Sequence, residues 1–206
     1  MNQKIATYRI DGRTNEEFRN ISIETGRNNF DGFITLFQGE TVVRATQKIP
    51  NDKTKFKVVI NFLETACSAE MNERKQYDLK FGLEQVFNQI VTDKLPVYIE
   101  ITVLQNNGSL FSSLINVCTL CMCYCGIEMS DFAVSLTFNE GIDLCLAEEN
   151  KTYDFCIVYL FNQGTVIYQE CVGQVQRKTL LESQQKAIYF CKKLALIFQK
   201  NLINIY

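Results

Sequence analysis

Residues 96–131 read PVYIEITVLQNNGSLFSSLINVCTLCMCYCGIEMSD, and the fold is decided there. After Pro96, the apolar Val97, Ile99, Ile101 and Val103 alternate with Tyr98, Glu100 and Thr102, the period-two pattern of a strand with one buried and one mixed face. Asn106, Asn107 and Gly108 mark a turn, and Ser109 is a residue type that caps helices. From Leu110 to Tyr124 the chain is a helix, apolar nearly all round, which Gly126 ends. A helix without a polar face needs cover on every side, so it belongs at the centre of the fold between other layers.

Upstream, short β-rich runs at Ile21–Ile23, Phe33–Phe37 and Thr41–Ala45, punctuated by Gly26, Gly32 and Gly39, read as an antiparallel meander. Phe56–Leu63 is a fourth strand. Leu79, Leu83, Val86, Phe87 and Ile90 then recur at helical spacing, with Lys75, Asp78 and Glu84 on the opposite face. Downstream, strands are expected at Phe132–Phe138, Asp143–Leu146, Tyr153–Phe161 and Thr165–Cys171. A last helix is expected over Leu180–Lys200, opened by Thr179 and Glu182 in capping-box spacing. Its inward stripe would be Leu181, Ile188, Cys191, Ala195, Phe198 and Leu202. The order implies an α+β fold of two βαβ-type halves with mixed sheets and packed helices.

The 206 residues, 47% hydrophobic and 21% charged, suffice for a large core, and two prolines and ten glycines leave no linker, so one compact domain over 1–206 is expected. Residues 1–13 lack the apolar core of a secretory leader, and no stretch reaches the apolar length of a spanning helix. The nine cysteines therefore read as reduced thiols of an intracellular chain. The absence of histidine removes Ser-His, Cys-His and HExxH chemistry, and a net charge of −2 confines any nucleic-acid contact to a local patch. Cys118, Cys121, Cys123 and Cys125 are conspicuous, but on a helix Cys123 points away from the other three. Four thiolates so placed cannot close a tetrahedron, and core packing explains them better than zinc.

Three stretches resemble the RNase PH family. Tyr8–Arg13 (YRIDGR), continued by Glu17, Arg19, Ile21, Ile23, Glu24 and Gly26, is similar to the family's opening motif. Asn72–Lys75 (NERK) is similar to the start of its first helix. Gln105–Asn116 running into Gly126–Asp131 (GIEMSD) is similar to its central signature. Within the family the likeness is strongest to exosome ring subunits whose archaeal relatives carry a phosphorolytic site. It implies the RNase PH-like fold, with no separate RNA-binding cap domain.

In active relatives Gly-Thr-Arg stands at the mouth of the central helix; the matching residues are Ser109, Leu110 and Phe111, a degenerate phosphate site. Phosphorolysis brings an attacking phosphate beside a scissile diester, and Phe111 has neither the charge nor the fork of an arginine. Active relatives also place two acids for a metal. Glu149 matches the first, with Tyr153 or Phe155 near the second; in an alternative register Glu148 pairs with Asp154, and Asp143 is also near. Otherwise these are solvated acids at a turn. The resemblance implies no catalytic residues, no cofactor and no metal.

It further implies RNA contact by Arg74 and Lys75, with Arg9, Arg13, Lys53, Lys55 and Lys57 as weaker candidates. Arg13 is also read structurally, pairing with an acid after the Asp11-Gly12 turn. The function expected is a structural subunit of an RNA exosome core ring in nucleus, nucleolus and cytoplasm. Expected partners are other RNase PH-like ring subunits, cap subunits, an associated exoribonuclease and single-stranded RNA, with no membrane. The alternatives are an active phosphate-dependent 3'-5' exoribonuclease, another ring position, or an unrelated α+β binding module.

Overall fold

The computed structural model describes residues 8–28, 31–49, 55–66, 73–149 and 153–203. Strands β1 (Ile21–Asn28), β2 (Asp31–Gln38) and β3 (Thr41–Lys48) form the expected meander. β4 (Phe56–Phe62) leads through helix α1 (Glu73–Ile90) to β5 (Val97–Gln105). β4 and β5 pair in parallel, which is why a helical crossover joins them. The sheet order is β1-β2-β3-β5-β4. Beyond helix α2 (Leu110–Cys125), β6 (Ala133–Phe138), β7 (Tyr153–Leu160) and β8 (Thr165–Gly173) form an antiparallel sheet in that order, and helix α3 (Arg177–Ile203) follows. No helix among the described residues is long and apolar enough to cross a membrane.

Helix α2 lies where its composition requires, packed on β2 and β3 of the first sheet and on β6 and β7 of the second. Twelve of its 16 residues are buried, so its lack of a polar face is accounted for. Buried Asn116 is satisfied by β6: its amide donates to the Ser135 carbonyl at 3.0 Å, and its oxygen accepts the Ser135 N–H at 2.8 Å. The α2 terminus is the expected glycine cap, Gly126 at φ 73.

Three local expectations are corrected. Asp143–Leu146 is a turn, not a strand, because Asp143 sits at φ 55 and its carboxylate is drawn to Arg19. The final helix begins at Arg177, so Thr179 and Glu182 lie inside it and form no cap. Leu181 faces solvent at 53% exposure; Ala187, Phe190 and Leu194 join Cys191, Ala195 and Phe198 on the packed face instead.

Candidate functional site

The mouth of α2 is built from a left-handed turn. Gly108 has φ 89, and an added Cβ there would meet the Cys145 carbonyl carbon and the Leu146 nitrogen at 2.5 Å, so only glycine fits. Ser109 follows at φ 53 and does not cap the helix with its side chain, contrary to expectation. Its hydroxyl donates instead to the Leu144 carbonyl at 2.9 Å, while its backbone N–H donates to Glu149 Oε1 at 2.5 Å. A carboxylate of the protein thus already holds one amide at the positive end of α2.

Beneath this turn, Arg19 and Asp143 form a buried ion pair, with Arg19 Nη2 and Nε at 2.7 and 3.0 Å from Asp143 Oδ1. Arg19 also donates to the carbonyls of Asn107 at 2.8 Å and Gly108 at 3.4 Å, tying the turn to the N-terminal segment. Arg9 binds Glu148 through Nε at 2.8 Å and through Nη2, and Arg13 pairs with Asp11 at 2.7 Å. The DGR triplet is structural, and Arg9 and Arg13 are committed within the fold. Lys55 donates to the Asn88 carbonyl at 3.3 Å, while Lys53 and Asn72 lie outside the described residues.

A cleft of about 570 Å³ opens beside the α2 mouth, between α1, β7 and β8. Phe111 forms one wall, its ring 5.2 Å from that of Tyr168, and Gly82 of α1 makes room for it: a Cβ there would lie 2.8 Å from the Phe111 ring. The lining charges are Lys75 against Asp78, Glu149, Asp154 and Glu170. One ammonium and four carboxylates thus line the same cleft, an excess of negative charge. Arg74 is exposed in the first turn of α1 next to Glu73.

The acids divide differently from either register. Glu148 turns away from the cleft, accepts from Arg9 and from the Cys145 N–H at 3.0 Å, and is neither solvated nor paired with Asp154. Asp154 lines the cleft with Glu149, whereas Phe155 is in the core against Phe138. Asp143 is fully buried on Arg19. Glu149 gives Oε1 to the Ser109 amide and shares the cleft with Asp154, whereas Phe155 offers no ligand atom. Among the described residues, the one close triple of candidate ligands is Asp11, Cys145 and Glu148, where Arg13 and Arg9 already neutralise the carboxylates. The eight described cysteines are free thiols; Cys118 and Cys121 are buried in α2 and Cys123 and Cys125 half-buried. Nothing local in the sequence flags Asp78, Tyr168 or Glu170, which α1 and β8 bring to one cleft.

These environments set opposite pH responses. The hydrogen bond from Arg9 depresses the Glu148 carboxyl to about 2, against burial, while burial, with Asp154 nearby, raises that of Glu149. A depressed acid stabilises the fold above its unfolded value of 4.5 and loses that contribution as pH falls toward 2. For Glu148 this is at most about 3 kcal/mol. Glu149 acts in the reverse sense: its protonation as pH falls from neutrality toward 4.5 relieves the fold. Urea midpoints should therefore drop steeply below pH 4.5 in the native chain, and Glu148→Gln should remove most of that drop. Unchanged acid sensitivity in the variant would contradict the assignment.

A model of the 3' exoribonuclease family, domain 1 (RNase PH), matches residues 17–128, more than half of the chain. The exosome complex component SKI6 of Saccharomyces cerevisiae is 30% identical over 199 residues, covering 86% of this chain and 78% of that protein. The crystal structure of rice (Oryza sativa) Rrp46 superposes with a TM-score of 0.80 over 94% of this chain and 99% of its own, at 17% identity, a likeness of fold. With the family model reaching over half the chain and a relative aligned across most of it, the chain belongs to the RNase PH family of 3' exoribonucleases.

Proposed function

We propose that this chain is a non-catalytic subunit of an RNA exosome core ring, a single RNase PH-like domain that joins other such subunits and borders the path of single-stranded RNA. The observation that supports this reading is the α2 mouth, where Glu149 holds the Ser109 amide and Phe111, matched by the resemblance to an anion-gripping arginine, walls the cleft. An attacking phosphate there would displace a carboxylate and then face three more. The yeast relative, named as an exosome complex component, supports the assembly. Ring neighbours, cap subunits and an associated exoribonuclease are the partners this reading requires, in nucleus and cytoplasm. Arg74 and Lys75, at the exposed start of α1, are the residues assigned to RNA.

The test is reconstitution with RNase PH-like partner subunits, single-stranded RNA, inorganic phosphate and magnesium. The chain should enter a stoichiometric ring and release no nucleoside diphosphate above the background of the partners alone. Arg74→Glu with Lys75→Glu should weaken RNA binding about tenfold without dissolving the ring. Phosphate-dependent product release that Glu149→Gln alters would establish an active enzyme. A chain that stays monomeric beside the partners would leave a binding module of another kind, and full RNA affinity in the double variant would remove the channel assignment.

A further inference from the structure

Three exposed apolar side chains from separate parts of the chain converge on the cleft beside the α2 mouth. They are Phe81 of α1, Leu146 of the 144–149 segment and Val172 of β8, at 51%, 44% and 52% exposure. Half-buried Leu79, Phe111 and Tyr168 line the same cleft. Tyr77 extends the rim by stacking on Phe81, with ring centroids 6.3 Å apart at 14°. Scattered apolar residues on a surface are ordinary, but apolar surface gathered around one concavity marks a binding groove. The volume of about 570 Å³ is that of a groove that takes a side chain and its neighbours.

Charge inside this rim is one-sided. Among the described residues, one cation, Lys75, and four carboxylates line the cleft, a net −3. Asp78 and Glu170 are exposed and Glu149 and Asp154 half-buried, so the negative charge extends from the lip inward. The Phe111 and Tyr168 rings, 5.2 Å apart, add an aromatic wall beside it.

We infer that the cleft docks a segment of another protein that presents an arginine between apolar side chains. Charge and shape choose this occupant. A guanidinium is complementary to the carboxylates, binds them through paired donors, and lays its flat face on aromatic rings. The apolar neighbours of that arginine would then cover Phe81, Leu146 and Val172 and exclude water from the contact. A phosphate or a nucleotide would enter against the net negative charge, and a bare divalent cation would leave the apolar rim in water. The inference goes beyond the ring-subunit reading, because every residue of the cleft comes from this one chain.

The test uses the full chain and three labelled 12-residue peptides, read by fluorescence anisotropy. One carries an arginine flanked by leucines, the second citrulline, an uncharged isostere, in place of that arginine, and the third an arginine flanked by serines. The leucine-flanked arginine peptide should bind at least about tenfold more tightly than either control. Asp78→Asn with Glu170→Gln should abolish most of its advantage over the citrulline peptide. Phe81→Ser with Val172→Ser should abolish most of its advantage over the serine-flanked peptide. All four positions are exposed, and unchanged circular dichroism confirms the fold. Equal binding of the citrulline peptide, binding of none of the three, or indifference to either variant overturns the inference. So does displacement by magnesium at constant ionic strength, which would make the cleft a metal site, or by single-stranded RNA, which would make it a nucleic-acid surface. Self-association lost in the rim variant would make the occupant a second copy instead. Ring entry is measured separately, so failure here and failure of the ring-subunit reading are distinguishable.

Discussion

Replacing Asp143 by asparagine should destabilise the chain by about 3–5 kcal/mol, the cost of leaving a buried charge without its partner. The side chain is fully buried, and each oxygen is in use: Oδ1 accepts from Arg19 Nη2 and Nε and from Gln38 Nε2 at 2.6 Å, and Oδ2 accepts the Arg19 N–H at 2.9 Å. Asparagine keeps the shape but turns one acceptor into a donor facing N–H groups, and it leaves the Arg19 guanidinium uncompensated at 7% exposure. Such a loss is a large share of the roughly 5–15 kcal/mol that holds a typical domain. Urea unfolding gives the number directly, as a lowered midpoint at constant slope. The double variant Arg19→Met with Asp143→Leu should recover part of the loss, because it removes both charges together. A single-variant cost below about 1 kcal/mol would mean that water reaches the pair and that it does not organise the α2 mouth.

That pair also marks the limit of local reading. Strand β5 and helix α2 are written in the chain because alternation and an unbroken apolar run are local patterns with one structural solution each. Asp143–Leu146 has a fragment of the same alternation, yet its conformation is decided by Arg19, 124 positions away, which claims the aspartate. Ser109 misled in the same way: its residue type favours a cap, but a left-handed backbone turns its hydroxyl to Leu144 and passes the capping role to Glu149. That Phe111 lines a cleft at the α2 mouth agrees with the place the neighbouring motif implies for it. The acidity of the cleft was not legible, since Asp78, Glu149, Asp154 and Glu170 come from α1, the segment before β7, β7 itself and β8. For α3 the helical period was legible, but Leu181 falls at the edge of the inner arc, about 40° past Ala195 at about 100° per residue, and there the pattern alone does not decide which way a side chain faces.

Gly108→Ala should be almost as damaging as the loss of Asp143, at about 2–5 kcal/mol, for a different reason. At φ 89 any L side chain pays the cost of the left-handed region, roughly 1–2 kcal/mol. The new methyl would also lie 2.5 Å from the Cys145 carbonyl carbon and the Leu146 nitrogen and 2.6 Å from the Leu144 oxygen. These are backbone atoms, so no rotamer change relieves them, and the segment that must retreat is the one bringing Glu149 to the Ser109 amide. Gly126→Ala separates the two contributions: its φ is 73, but a Cβ there has nothing within 4 Å, so it should cost only the conformational share. The excess of the Gly108 variant over the Gly126 variant then measures how firmly the 144–149 segment is held against α2. Amide exchange at Ser109 should accelerate in the Gly108 variant and stay slow in the other. Equal costs at the two glycines would show that the segment yields freely, and Glu149 would then be no barrier to an anion at the head of α2.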